Sequence, residues 1–200
     1  MISILDYGAG NLRSVENTLG ALGAEYELVR DADALRRATK VILPGVGHFG
    51  QMMKALDEMQ IRNALIERIR AGVPFLGICL GLQALFESST EAPEARGLGI
   101  FEGRIERFGG HARVPHMGWN SLRRVRESKL LEGTGEQPYV YFANSFYAPA
   151  VEEASAVCEY GARFTAVLEH GNIHAVQFHP EKSGAVGLKI VSNFARLQAA

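Results

Sequence analysis

The sequence predicts an α/β fold with a central, mostly parallel sheet flanked by helices and additional antiparallel strands in the C-terminal half. Short apolar runs alternate with helical patterns in the first half, and glycine or proline bounds many of these runs, as is usual for buried parallel strands. From residue 97 onward, short strand-like runs follow one another. With 200 residues and 47% hydrophobic content, the chain is expected to form one domain over residues 1–200.

The elements of the first half follow a βαβ pattern. Strands are predicted over residues 2–5, 25–29, 40–43 and 73–78, and helices over residues 12–22, 32–38, 51–59 and 62–70. Right-handed crossovers place the carboxyl ends of parallel strands along one edge of the sheet, where ligands bind. We therefore expect the functional residues at that edge.

The strand-like runs of the second half are predicted to be antiparallel. They cover residues 98–101, 104–108, 139–142, 156–160, 164–170 and 173–178. Gly171 and Asn172 are predicted to form the hairpin turn between the last two runs. A closing helix over residues 188–197 is predicted to pack on the sheet through its apolar side chains, namely Leu188, Ile190, Val191, Phe194 and Leu197.

Cys79 lies between the last strand of the first half and a predicted helix over residues 82–86, with Gly77 and Gly81 two residues to either side. This spacing is typical of the strand-to-helix elbow that displays a nucleophile, because small neighbours tolerate its crowded backbone. Backbone N–H groups at a helix N-terminus also favour a thiolate. The alternative is a buried structural cysteine, and the local motif alone does not decide between the two.

A second motif, His179-Pro180-Glu181, follows the last predicted strand. In extended chain, residues two apart face the same side, so Glu181 can hydrogen-bond one imidazole nitrogen while the other faces the thiol. Taken singly, His179 is more often a strand-end histidine and Glu181 a solvated carboxylate. Together with Cys79, the pair favours a Cys-His-Glu catalytic triad.

The glycine-rich segment 44–50 follows the third predicted strand and should lie beside Cys79. Its glycines leave backbone N–H groups uncovered. The N–H of Leu80, together with that of Val46 or Gly47, is therefore predicted to stabilise an oxyanion. The competing interpretation is a phosphate-binding loop, but the segment lacks the lysine and the serine or threonine of that motif. His48 has no carboxylate neighbour and is expected to be structural.

Charge and composition exclude several classes of partner. The formal net charge is −1, from 21 basic and 22 acidic residues, so the chain has no broad positive field for nucleic acid or an acidic membrane surface. With two cysteines and no signal-peptide pattern at the N-terminus, we expect a cytoplasmic protein without membrane spans. The histidines and cysteines are scattered, so we expect no metal site and no cofactor.

Together these motifs resemble the class I, or triad-type, glutamine amidotransferases, and the resemblance spans the whole chain. Within that family, segments 6–11, 44–49, 115–120 and 179–183 are similar to the glutaminase subunit of imidazole glycerol phosphate synthase. The resemblance implies that Cys79 attacks the side-chain amide of glutamine, giving ammonia and a glutamyl thioester that water hydrolyses. His179 would act as acid and base in both steps, and Glu181 would hold its ring.

The resemblance further implies the binding residues and the partner. Glutamine would be bound by Gln83, Glu91 and the segment Asn144, Ser145 and Phe146, although the family usually carries histidine in place of Asn144. The partner would be a cyclase subunit of barrel fold, forming a heterodimer. It would receive the ammonia and make imidazole glycerol phosphate and aminoimidazole carboxamide ribotide in histidine biosynthesis. Three residues would lie near this partner, namely Asn11, Trp119 and Lys182.

Other functions remain open at this point. The same fold and triad would suit a glutaminase that serves another synthase, or a thiol hydrolase that acts alone on a glutamyl substrate. A scaffold subunit without chemistry is a further alternative, and the intact Cys79, His179 and Glu181 argue against it. Without the resemblance, Trp119 would be interpreted as a core aromatic and Lys182 as a surface charge.

Overall fold

The centre of the molecule is an eight-stranded sheet, seen in a computed structural model that describes residues 1–9, 11–110 and 112–198. Gly10, part of the 6–11 segment, lies outside the described residues. One half of the sheet is parallel. Its strands are, in spatial order, β2 (Tyr26–Val29), β1 (Ile2–Leu5), β3 (Val41–Gly45), β4 (Phe75–Cys79) and β13 (Ile173–Val176).

The other half of the sheet is antiparallel. It continues from β13 through β12 (Arg163–His170), β11 (Ala154–Glu159) and β8 (Arg123–Arg124). Gly171 and Asn172 connect β12 to β13, and Gly171 has a φ of 59°, the left-handed conformation that such hairpin turns require. The predicted α/β fold with a mostly parallel sheet and antiparallel strands in the C-terminal half is confirmed.

Helices cover both faces of the sheet. Alternate strand residues enter two separate apolar cores, as the two-residue period of a strand requires. The helices that contribute to one core are α2 (Ala32–Arg37), α3 (Phe49–Glu58) and α4 (Arg62–Arg70). Those that contribute to the other are α1 (Leu12–Ala21) and α6 (Gly184–Arg196).

Two smaller sheets lie outside the large one. The first contains β5 (Phe86–Ser89), β6 (Phe101–Arg107) and β10 (Phe146–Tyr147), and the second pairs β7 (His116–Ser121) with β9 (Tyr139–Asn144). Strand β7 was not predicted from the sequence, although it carries most of segment 115–120. Both sheets bring residues from the second half of the chain close to the end of β4.

The helix predicted over residues 82–86 is wrong. The structure has a single helical turn, α5 (Leu80–Gln83), and Phe86 already begins β5. The carbonyls of Ala84 and Leu85 accept hydrogen bonds from the N–H groups of Leu98 and Ile100, so they cannot continue a helical ladder. This competition comes from distant residues, and the local pattern contains no sign of it.

Two further details of the second half differ from prediction. Residues 98–101 and 104–108 do not form two antiparallel strands, because the single strand β6 begins at Phe101 and pairs in parallel with β5. The closing helix starts at Gly184, earlier than predicted, and its buried stripe includes Ile190, Val191 and Phe194. Leu188 lies outside that stripe and is exposed.

Among the described residues, no helix is both long and apolar enough to cross a bilayer.

Helix α6 packs closely on a 3-10 turn, Pro180–Lys182, that connects β13 to it. Gly187 lies at the contact, where an added Cβ would overlap the Pro180 carbonyl oxygen and come within 2.9 Å of the Ser183 Cβ. Glycine therefore lets the helix approach the turn that carries Glu181.

We predict that Gly187→Ala will destabilise the protein by about 1–3 kcal/mol, because the methyl group must push α6 away from this turn. It should also slow alkylation of Cys79 by iodoacetamide, since Glu181 moves with the turn. Thermal unfolding and mass spectrometry measure the two effects. Gly20→Ala is the matched control: Gly20 is exposed in α1 with open space around it, and its replacement should be neutral or stabilising. Equal stability of the two variants would contradict the packing argument.

Candidate active site

Cys79 is the last residue of β4, and its backbone has φ 54° and ψ −104°. This is a strained conformation for a residue other than glycine, costing on the order of 1–3 kcal/mol. An added Cβ at Gly81 would overlap the Leu43 carbonyl oxygen, and one at Gly77 would lie 2.6 Å from the Gly81 carbonyl oxygen. Both glycines are therefore needed for the sharp turn that presents the Cys79 side chain.

His179 and Glu181 come from the far end of the chain to the same place. The Nδ1 atom of His179 lies 2.8 Å from Oε1 of Glu181, and both side chains are only 3% exposed. The imidazole and the Cys79 side chain line the same cavity, close enough for the Cys79 charge to act on the ring. The predicted geometry differs in one respect: Glu181 does not lie in extended chain, because Pro180 begins a 3-10 turn, whose first position suits proline.

The charges around His179 favour its protonated form. Burial by itself would lower the pKa of His179, but the Cys79 charge and the hydrogen bonds to Cys79 and Glu181 outweigh it and raise the pKa to about 10. At neutral pH the imidazole therefore holds a proton beside the sulfur. A protonated imidazole at this place stabilises negative charge that develops on the sulfur.

The main-chain atoms of His179 are fixed by a small network. Its N–H donates to the Tyr141 carbonyl at 2.9 Å, and its carbonyl accepts from the Ser183 hydroxyl at 2.7 Å. The same hydroxyl oxygen accepts from the N–H of Tyr141 at 2.9 Å. Ser183 thus ties the histidine to β9. No role was predicted for Ser183, because no local signal in the sequence distinguishes it.

A cavity of about 190 Å³ opens above Cys79. Every residue predicted to bind a substrate or an oxyanion lines it, together with three residues that the sequence analysis did not assign. The lining residues are Val46, Gly47, Cys79, Leu80, Gln83, Glu91, Pro115, Met117, Ala143, Asn144, Ser145, Phe146 and His179.

Backbone N–H groups are available beside the sulfur. Leu80 occupies the first position of α5, where an N–H has no acceptor within the helix. The pairing of β3 with β4 sets Gly45 opposite Cys79, so the following residues Val46 and Gly47 reach the cavity. Gly47 has a φ of 99°, which only glycine adopts without strain.

Three side chains predicted to bind glutamine also hydrogen-bond to backbone groups of the segments that line the cavity or lie next to it. The Gln83 Nε2 donates to the Phe146 carbonyl, and so does the Asn144 Nδ2, both at 2.9 Å. Glu91 accepts from the N–H of Phe49 at 2.8 Å. Because Phe49 begins α3, Glu91 connects the cavity to the helix that starts within segment 44–50. His48 caps the same helix by accepting from Gly50 N–H at 3.1 Å, a structural role.

A family model described as glutamine amidotransferase class-I matches residues 3–197. The chain belongs to the class-I glutamine amidotransferases. A protein of Methanothermobacter thermautotrophicus named imidazole glycerol phosphate synthase subunit HisH is 47% identical over 198 residues, covering 98% of each chain. One of the same name from Deinococcus radiodurans is 43% identical over 199 residues, covering 98% of this chain and 93% of that one.

Solved structures agree with the fold of this amidotransferase. A crystal structure of a glutamine amidotransferase has a TM-score of 0.76 at 23% identity, covering 96% of both chains. PurLQS from Thermotoga maritima has a TM-score of 0.74 at 19% identity, with the same coverage. At these identities the likeness concerns the fold alone.

The three residues predicted to face a partner of the amidotransferase differ in their solvent exposure. Trp119 is 55% exposed and meets the Tyr141 ring edge to face, with centroids 6.1 Å apart, so its interpretation as a core aromatic is wrong. Lys182 is exposed directly after Glu181. Asn11 is partly buried at the start of α1, where its side chain accepts from the Ser14 hydroxyl at 2.8 Å.

Tyr7 is a further group that the sequence analysis missed. Its hydroxyl is buried close to the Val46 backbone and Cys79, and it has no hydrogen bond of normal geometry with the described residues. Burial, with a smaller contribution from the Cys79 charge, raises the pKa of Tyr7 above its ordinary value. The amidotransferase therefore has a neutral phenol beside its thiol.

Among the described residues, histidine, cysteine and carboxylate side chains form no group of three that could hold a metal ion.

The pH dependence of glutamine hydrolysis should reflect the Cys79 and His179 pair. Its alkaline limb in kcat/KM should lie near pH 10, where the imidazolium loses its proton. Glu181→Gln should move that limb to lower pH by about one unit, because it removes a negative charge that favours the imidazolium. Glu159→Gln changes an exposed carboxylate and should leave the limb in place. An unchanged limb in Glu181→Gln would contradict the assignment.

Proposed function

We propose that the chain is the glutaminase subunit of an imidazole glycerol phosphate synthase in histidine biosynthesis. It hydrolyses glutamine to glutamate and ammonia and passes the ammonia to a cyclase subunit. The observation that carries this proposal is a buried His179–Glu181 hydrogen-bonded pair that shares a small cavity with Cys79. The HisH relatives, at 43–47% identity over nearly the whole chain, support the choice of synthase.

The first half-reaction cleaves the amide. With the thiol proton held on His179, the Cys79 thiolate attacks the carboxamide carbon, and the amide oxygen becomes an oxyanion. The N–H of Leu80 and that of Val46 or Gly47 stabilise this charge. When the tetrahedral intermediate collapses, the C–N bond breaks and His179 gives its proton to the departing nitrogen. Ammonia leaves, and a glutamyl thioester remains on the sulfur.

The second half-reaction releases glutamate. Neutral His179 takes a proton from water as the water oxygen attacks the thioester carbon, and the same N–H groups stabilise the second oxyanion. The C–S bond then breaks and the sulfur leaves as the thiolate beside the imidazolium. Glu181 keeps the ring oriented and stabilises its positive charge in both halves.

Glutamine binding is proposed to use the residues that surround the cavity. The carboxylate of Glu91 suits the α-ammonium group of glutamine, and the amide of Gln83 and the backbone of segment 144–146 suit its polar atoms. Asn144 stands where the family usually has histidine, and its buried Oδ1 makes no hydrogen bond with the described residues. A backbone contact from segment 144–146 to the substrate does not require the histidine side chain.

The partner is proposed to be a cyclase subunit of barrel fold, seated over the mouth of the cavity in a heterodimer. Exposed apolar side chains lie at and beside that mouth: Met117, 66% exposed, and Val46, 38% exposed, line the cavity, and Trp119, 55% exposed, lies two residues after Met117 on β7. Exposed apolar groups of this size are typical of a docking surface. A partner there would shield ammonia from bulk water on its way to the acceptor. The cyclase would release imidazole glycerol phosphate and aminoimidazole carboxamide ribotide.

Replacing the nucleophile tests the chemistry. In the reconstituted complex, Cys79→Ala should lower glutamate release at least about a thousandfold, because no other group can form the thioester. Cys158→Ala is the matched control. Cys158 is buried among apolar residues and burial raises its pKa to about 12, so its loss should leave hydrolysis intact. Glutamate release by Cys79→Ala at the wild-type rate would refute the mechanism. Ammonia released without incorporation by the cyclase would indicate a hydrolase that acts alone.

The docking surface is tested by shortening its exposed aromatic residue. Trp119→Ala should weaken binding to the cyclase subunit about 30-fold or more, the cost of losing a tryptophan anchor. Tyr26→Ala removes an exposed aromatic side chain from the edge strand β2 and should leave the affinity unchanged. Titration calorimetry measures both constants. Equal affinities for Trp119→Ala and wild type would place the interface elsewhere.

A further inference from the structure

Gln177 is a completely buried polar residue directly beside the nucleophile. In the pairing of β13 with β4, partners are separated by 98 residues, from Ile173 with Phe75 to Val176 with Ile78. Continuing the register by one residue sets Gln177 next to Cys79. Its Nε2 atom lies 3.5 Å from the Cys79 sulfur, within hydrogen-bond distance for that element. Side chains in a strand alternate, so Gln177 and His179 reach the sulfur from the same face.

The direction of the Gln177 amide is fixed by its neighbours. The Phe146 carbonyl can only accept, so the Gln83 atom that meets it, at 2.9 Å, must be the amide nitrogen. That same nitrogen lies 3.1 Å from the Gln177 side chain, which must therefore present its oxygen there. The other end of the Gln177 amide, its N–H group, is left to face the sulfur.

We propose that Gln177 is a catalytic residue that donates a hydrogen bond to the Cys79 thiolate and stabilises it as the attacking nucleophile. A hydrogen bond to the charged form of a group favours that form. The donor matters here because α5 is a single turn of four residues and offers little of the field of a longer helix. The inference rests on the proposed role of Cys79 in glutamine hydrolysis.

The contacts of Gln177 also fix the position of the sulfur. The amide is 0% exposed, and a buried amide is costly unless both its ends are hydrogen-bonded. Its oxygen is satisfied by Gln83 and its nitrogen by Cys79. Within the part of the chain that the structure describes, the other ionisable groups near the sulfur are His179, with Glu181 behind it, Tyr7 and, across the cavity, Glu91. Gln177 is therefore the neutral hydrogen-bond donor to the sulfur, whereas these other groups carry or exchange charge.

The test is the pH profile of Cys79 alkylation by iodoacetamide, measured without glutamine in a Cys158→Ala background that removes the second thiol. Gln177→Met keeps the size of the side chain and removes its donor. We expect the midpoint of the profile to rise by about one pH unit and alkylation below it to slow about tenfold, as expected for loss of a hydrogen bond to a charged group. Gln177→Asn, whose amide is too short to reach the sulfur, should shift the profile in the same direction.

Steady-state kinetics separates this role from simple support of Gln83. If Gln177 acts on the sulfur, its variants lower kcat more than they raise KM, whereas Gln83→Met acts mainly on KM. Folded Gln177→Met and Gln177→Asn proteins with the wild-type alkylation profile would overturn the inference, even with a raised KM. Failure of the proposed function would look different, since the wild-type complex would then release no glutamate whatever the alkylation profile of its variants.

Discussion

The parallel pairing of β4 with β13 is the constraint on which the site depends. These strands are about 100 residues apart in the chain, and their register sets Gln177 beside Cys79 and brings His179 to the same cavity. A shift by one residue would turn these side chains to the opposite face of the sheet. The antiparallel hairpin of β12 and β13 fixes that register from the other side.

Close backbone contacts then hold the reactive groups at the edge of this sheet. Glycine at positions 77 and 81 allows the strained turn at Cys79, and Gly187 allows α6 to support the turn that carries Glu181. The strain at Cys79 persists because packed elements surround it on both sides. The protonation of His179 also depends on this close packing, because it buries the imidazole beside Cys79 and Glu181. Since the imidazole and the carboxylate are buried, the Cys79 charge and the hydrogen bond to Glu181 decide that the proton stays on His179.

The parallel half of the fold could be predicted from the sequence more completely than the second half. Strand β1 and helix α4 have the predicted bounds, because apolar period and flanking glycine or proline act locally there. The helix after Cys79 was predicted too long, since N–H groups of residues 98–101 take the carbonyls that it would have used. Strand β7 was missed, and Leu188 was wrongly placed in the core. Whether β7 forms depends on its pairing with the distant strand β9, and whether Leu188 is buried depends on which face of α6 packs against the sheet.

The sequence by itself determined the chemistry: a thiol between two glycines, and a histidine with a carboxylate two residues later, are groups whose reactivity belongs to the residue types and their spacing. Only the tertiary structure decided which other groups meet them. Gln177 reaches the sulfur across 98 residues, Glu91 connects to Phe49, Ser183 connects to Tyr141, and Trp119 stays exposed. No local pattern encodes these contacts, because each depends on strand register and packing between segments that are far apart in the chain.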